Sequence, residues 1–118
     1  MGRLLDLSIY KPKTQEIRLP DGRLLHIKCP TQKLTVDMLA YANLNEDEVT
    51  VEQAIKALDE IVSKILSHNT DGITISPDYV ANELVYMKGT DDENAIFLKM
   101  AVLNAFQAFT KEIQSNPN

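Results

Sequence analysis

The stretch Glu16-Ile17-Arg18-Leu19-Pro20-Asp21-Gly22-Arg23-Leu24-Leu25-His26-Ile27-Lys28 decides how the rest of the chain is read. Pro20 presets φ for a turn, and Gly22 accepts the positive φ that a hairpin loop requires. Apolar residues flank that turn on both sides, so the run predicts a tight β-hairpin. Upstream, Leu5, Leu7 and Ile9 alternate with Asp6, Ser8 and Tyr10, a period-two strand pattern interrupted by Lys11-Pro12-Lys13. Downstream, Pro30 closes the second strand and Thr31 begins a helical segment carrying Leu34, Met38, Leu39 and Tyr41, with Thr35 as a competing start.

Asn43 to Asp47 reads as a polar acidic loop. The next helix has the clearest signal. Thr50 and Gln53 stand at capping-box spacing. Val51, Ala54, Ile55, Leu58, Ile61, Val62, Ile65 and Leu66 follow as an apolar stripe, and Glu52, Lys56, Asp59, Glu60 and Lys64 fall on the other face. His68 to Gly72 stops this helix, and Ile73-Thr74-Ile75 is a short extended piece. Ser76 caps a further helix with Pro77 at its first position, predicted to run to about Lys88 and stop at Gly89. Thr90 to Glu93 load the start of a last helix with dipole-compatible carboxylates. That helix is apolar on more than one face, as befits either a helix central to the fold or one lying in an oligomer interface. The tail from Gln114 reads as frayed. Together these elements predict an α+β fold, one domain over 1–118, with a β-hairpin region (1–30) and a body of about four helices (31–114).

A chain of 118 residues with 44% hydrophobic and 25% charged residues has ordinary globular composition. With no Trp and only three Phe the core must be largely aliphatic. A domain of this size buries roughly two thirds of its unfolded surface, which leaves room for self-association to complete its stability. The lone Cys29 cannot form an internal disulfide, the N-terminus does not have the form of a signal peptide, and no apolar run is long enough for a membrane span; these point to the cytoplasm. The net charge of −5 is unevenly spread: residues 1–33 carry seven Lys/Arg and three Asp/Glu, residues 34–118 five and fourteen. A solvated surface explains such blocks, and so does a basic hairpin that meets acidic faces of a partner or of neighbouring copies.

Constellations for chemistry are weak. Cys29 and His26 point to opposite faces of the predicted strand, and Ser67-His68 are neighbours at a helix end, so neither pair has the geometry of an activated nucleophile. Ser67 to Asp78 follows a calcium loop at its third, fifth and sixth places, but has Ser first, Asp twelfth and Thr74 eighth, and a helix stop followed by a helix start explains every residue. Asn45 to Glu48 reads as a solvated loop. The hairpin cations Lys11, Lys13, Arg18, Arg23, Lys28 and Lys33 have only Tyr10 as a nearby aromatic, and the acidic body argues against nucleic acid. The chain therefore reads as non-enzymatic, with no cofactor and no metal.

The run Ile17 to Thr31, apolar strand, turn with Gly22, Ile27-Lys28 and Pro30-Thr31, resembles the opening of tail assembly chaperones of long-tailed phages and prophages. The resemblance implies a non-catalytic assembly factor that binds the tape measure protein, shields its apolar helices in the host cytoplasm and self-associates. A structural virion subunit, such as a tail or head–tail connector component, is the alternative. The apolar excess of the last helix marks Ile96, Phe97, Met100, Leu103, Phe106 and Phe109 as candidate partner-binding residues. Arg18, Arg23 and Lys28 are the candidate hairpin contacts.

Overall fold

A computed structural model describes residues 4–5, 14–44, 47–84 and 96–115. The architecture is α+β: a two-stranded antiparallel hairpin, β1 (Thr14–Arg18) and β2 (Leu24–Lys28), is followed by α1 (Gln32–Ala42), α2 (Val51–Ser67), α3 (Pro77–Glu83) and α4 (Phe97–Ser115). The predicted strand over Leu5–Tyr10 lies outside the described residues apart from Leu5, which is exposed. So do the Gly89 stop and the acidic start at 90–93.

Local chemistry sets the hairpin turn and the starts of α1, α2 and α3 as the sequence predicts. Gly22 adopts φ +98°, its N–H donates to Leu19 O at 2.9 Å, and Leu19 N–H donates to Arg23 O at 2.8 Å, closing the turn over Pro20 and Asp21. Thr31 caps α1 through Leu34 N–H, and Ser76 caps α3 through Tyr79 N–H. At Thr50 both halves of the capping box are made: Gln53 N–H donates to the hydroxyl at 3.1 Å and Thr50 N–H donates to Gln53 Oε1 at 2.9 Å. Two ends differ from expectation. α3 stops at Glu83, with Leu84 as its cap, short of Lys88. α4 stays helical through Ser115 instead of fraying from Gln114.

The hairpin register pairs Gln15 with Ile27 and Ile17 with Leu25, which puts these four on the inward face. Leu25 and Ile27 are fully buried against the helices. The far edge of β2 is also satisfied. Lys28 N–H donates to His68 O at 2.8 Å, Thr70 N–H donates to His26 O at 3.0 Å, and His26 N–H donates to Asp71 Oδ2 at 2.8 Å. The segment after α2 thus acts as a short third ladder member, where the sequence suggests only a helix stop. Asn69 shapes it: its amide donates to Leu66 O and Ile73 O, and its carbonyl oxygen accepts from the N–H groups of Asp71 and Ile73. No capacity is left over, so this buried Asn is fully satisfied. Ser63 and Ser67, one helical turn apart, hold Ile75 beside α2 through its backbone.

The core has α2 at its centre, with Leu58, Ile61, Val62, Ile65 and Leu66 buried against β2, α1, α3 and α4. One residue of its expected outer face is misplaced by the sequence reading. Asp59 is buried, and Lys99 of α4, only 4% exposed, meets its Oδ1 at 2.7 Å. Because α4 crosses α2 on that side, the helix is covered over more of its circumference than one apolar stripe. Asp59 Oδ1 makes no hydrogen bond of good geometry, so its ion pair with the ammonium is its compensation for lost water.

Removing one member strands the other. Asp59→Ala is expected to cost about 3–5 kcal/mol in chemical denaturation, while Asp59→Leu with Lys99→Met restores parental stability or exceeds it.

Candidate partner-binding groove

The α2 stripe starts at Val51, but its first two turns are not covered. Val51 is 76% exposed and Ile55 37%. Beside them α4 begins, with Ile96 37% and Phe97 59% exposed and Met100 half-buried. Between these helix starts and the end of α1 lies a groove of about 430 Å³ lined by Tyr41, Val51, Ile55, Leu58, Ile96 and Met100, among others. No charged side chain lines it. Burial pushes the Tyr41 phenol up from its ordinary value, so it too stays neutral. A second apolar groove, of about 490 Å³, runs between the hairpin and α4 past Ile17, Leu19, Pro20, Leu98, Val102 and Ala105.

The six candidate residues of the last helix therefore divide. Ile96 and Met100 line the first groove, and Phe97, beside them at the start of α4, is exposed without lining it. Leu103, Phe106 and Phe109 are 4%, 0% and 7% exposed and belong to the core, where the rings of Phe106 and Phe109 pack with centroids 6.2 Å apart. Their expected role as a surface is corrected for this reason: at about 100° per residue they share the side of α4 that lies against α2. Tyr41, Val51 and Ile55 complete the groove and are absent from the sequence-based set. The stripe containing Val51 and Ile55 was visible, but its periodicity marks residues as apolar without saying which turns are covered.

The three hairpin candidates also part company. Arg23 is held within the chain: its guanidinium meets Asp21 at 2.9 Å and lies over the Tyr79 ring at 5.5 Å, while Tyr79 Oη donates to Asp21 Oδ2 at 2.8 Å. It works as a clamp between the hairpin turn and α3. Arg18 donates to Gly22 O at 2.9 Å, and Lys28 is exposed.

Neither residue pair considered for nucleophilic chemistry is assembled. The Ser67 hydroxyl is spent on Ile75. The His68 ring bonds Cys29 O at 2.7 Å, and the His26 ring faces Asp71 at 3.2 Å and Glu16 at 3.9 Å. In the calcium-like loop, Asn69 and Asp71 turn their oxygens to backbone amides, and the described residues hold no cluster of three or more His, Cys, Asp or Glu placed for a metal. No described helix is long and apolar enough to cross a membrane. The chain matches no protein-family model, no curated protein and no solved structure.

Two carboxylates that hold the hairpin are shifted. The hydrogen bond from the Arg23 side chain, followed by those from its backbone and from Tyr79, lowers Asp21 from 3.8 to about 2. Asp71 is lowered by the His26 backbone N–H and ring. A carboxyl whose folded value is depressed stabilises the fold above its unfolded value, and that contribution is lost as pH falls through the folded one. Thermal melts should therefore show Asp21→Asn and Asp71→Asn below the parent at neutral pH, with Asp21→Asn converging on it as pH drops from about 4 toward 2.

Proposed function

We propose that this protein is a non-catalytic assembly factor that binds an apolar helical segment of a partner protein in the groove between α1, α2 and α4. The observation that carries the reading is the meeting of Val51, Ile55, Ile96 and Met100 around a groove with no charged lining. Helix-in-groove recognition uses such surfaces, and Met adapts to irregular partners. Together with the resemblance of residues 17–31, it supports a tail assembly chaperone of a long-tailed phage. In that role it shields apolar helices of the tape measure protein in the host cytoplasm before tail tube assembly, and self-associates while doing so.

One observation favours the second reading, a structural tail or connector subunit. His26 and Lys28 spend backbone groups on residues 68–71, so Gln15 and Ile17 make the ladder bonds of β1, while Thr14, Glu16 and Arg18 turn theirs outward. Among the described residues this edge is unpaired, and it is able to extend a neighbour's sheet.

Co-expression with a tape measure protein tests the chaperone reading; a complex and a gain in that partner's soluble fraction are expected, and neither appearing would sink it. At the level of the groove, a synthetic amphipathic Leu/Lys helix should bind by calorimetry. Val51→Asp should weaken it by about tenfold or more without lowering the melting temperature, since Val51 lines the groove and is exposed.

A further inference from the structure

We propose that, without its partner, the groove is filled by the outer face of α1 from a second copy of this chain. The inference rests on the reading of the groove as a helix-binding site and names its resident occupant.

α1 is apolar on two sides. Leu34, Met38 and Tyr41 form the inner side, packed on the core. Val36 and Leu39, 55% and 57% exposed, lie roughly opposite to them at about 100° per residue, next to exposed Ala40. Because Tyr41 of the inner side already lines the groove, a chain cannot turn the outer side of its own α1 into its own groove. A second molecule can.

Charge gives the occupant its identity. Lys33 stands one turn before Val36 on the edge of that outer face. It lines a cleft with Asp37 and Lys64, but those two pair with each other at 3.2 Å, and Lys33 has no acidic partner among the described residues. Flanking the groove, Glu48 and Glu52 are exposed beside Val49 and Val51 and have no basic partner among the described residues. An apolar helix face edged by an unpaired lysine thus complements an apolar groove edged by unpaired glutamates. In the assembled form Val36 and Leu39 cover Val51, Ile55 and Ile96, and Lys33 meets Glu48 or Glu52. The partner's apolar helix would then have to displace this face, so the free protein keeps its own groove covered.

Light scattering after size exclusion tests this on the whole chain. Wild type should associate with increasing concentration and dissociate as salt rises, because rim charges are screened. Leu39→Asp, Lys33→Glu, and Glu48→Lys with Glu52→Lys should each give folded monomers by circular dichroism, all four positions being exposed. Mixing the Lys33→Glu chain with the Glu48→Lys/Glu52→Lys chain should restore association. The Leu39→Asp monomer, its groove intact, should bind the Leu/Lys helix about tenfold more tightly than wild type. Wild type that stays monomeric to about 1 mM overturns the proposal, as does association untouched by Leu39→Asp and Lys33→Glu. Either result leaves the groove's partner binding to be decided by the helix titration itself.

Discussion

Burial of one broad face of α2 is the constraint on which every other element depends. Leu58, Ile61, Val62, Ile65 and Leu66 are at most 3% exposed, and each large apolar side chain so covered contributes roughly 1.5–3 kcal/mol relative to water. A hairpin of two five-residue strands is marginal alone. It persists because Leu25 and Ile27 press on α2 while residues 68–71, the continuation of that same helix, bond the free edge of β2. Side-chain burial and backbone pairing thus come from adjoining parts of one element. That is why the hairpin sits at the C-terminal end of α2 and leaves the N-terminal end uncovered.

Features written in adjacent residues were legible in advance. The Pro20-Asp21-Gly22 turn, the Thr31, Thr50 and Ser76 caps and the α2 stripe each need only a few neighbours to form, so local chemistry determines them. Pairings across the chain were not. Asp59 and Lys99 are forty residues apart, and nothing around Asp59 separates a buried aspartate from the exposed glutamate beside it. Leu103, Phe106 and Phe109 looked available because an apolar excess says that something must cover a helix without saying what. The covering element was α2 of the same chain.

The groove has the same origin. Val51 and Ile55 continue the α2 stripe beyond the part its neighbours reach, so the sequence pattern that predicts burial is the one that leaves apolar residues open when cover runs out. Arg23 shows the converse. It is a cation of the basic hairpin, but Asp21 and Tyr79 engage it within the fold, whereas among the described residues charges such as Lys28, Lys33, Glu48 and Glu52 remain for outside partners. Composition counts charges, whereas availability depends on which ones the fold has already used.

The buried ion pair then fixes what the groove presents. On α4, at about 100° per residue, Leu103 and Phe106 lie within roughly 40° of Lys99, Ile96 and Met100 lie at the boundary of that side, and Phe97 points well away. Turning the helix by one residue toward burial of Phe97 would draw Lys99 from Asp59 and leave a carboxylate enclosed without its counterion, at a cost of several kcal/mol. Burial of another phenylalanine returns at most about 3 kcal/mol, less the packing lost at Phe106. The pair therefore keeps α4 in the rotation that holds Phe106 in the core and Phe97 in the open. The exposed aromatic at the start of α4 is in this sense a consequence of a charge paired on the helix's inner side.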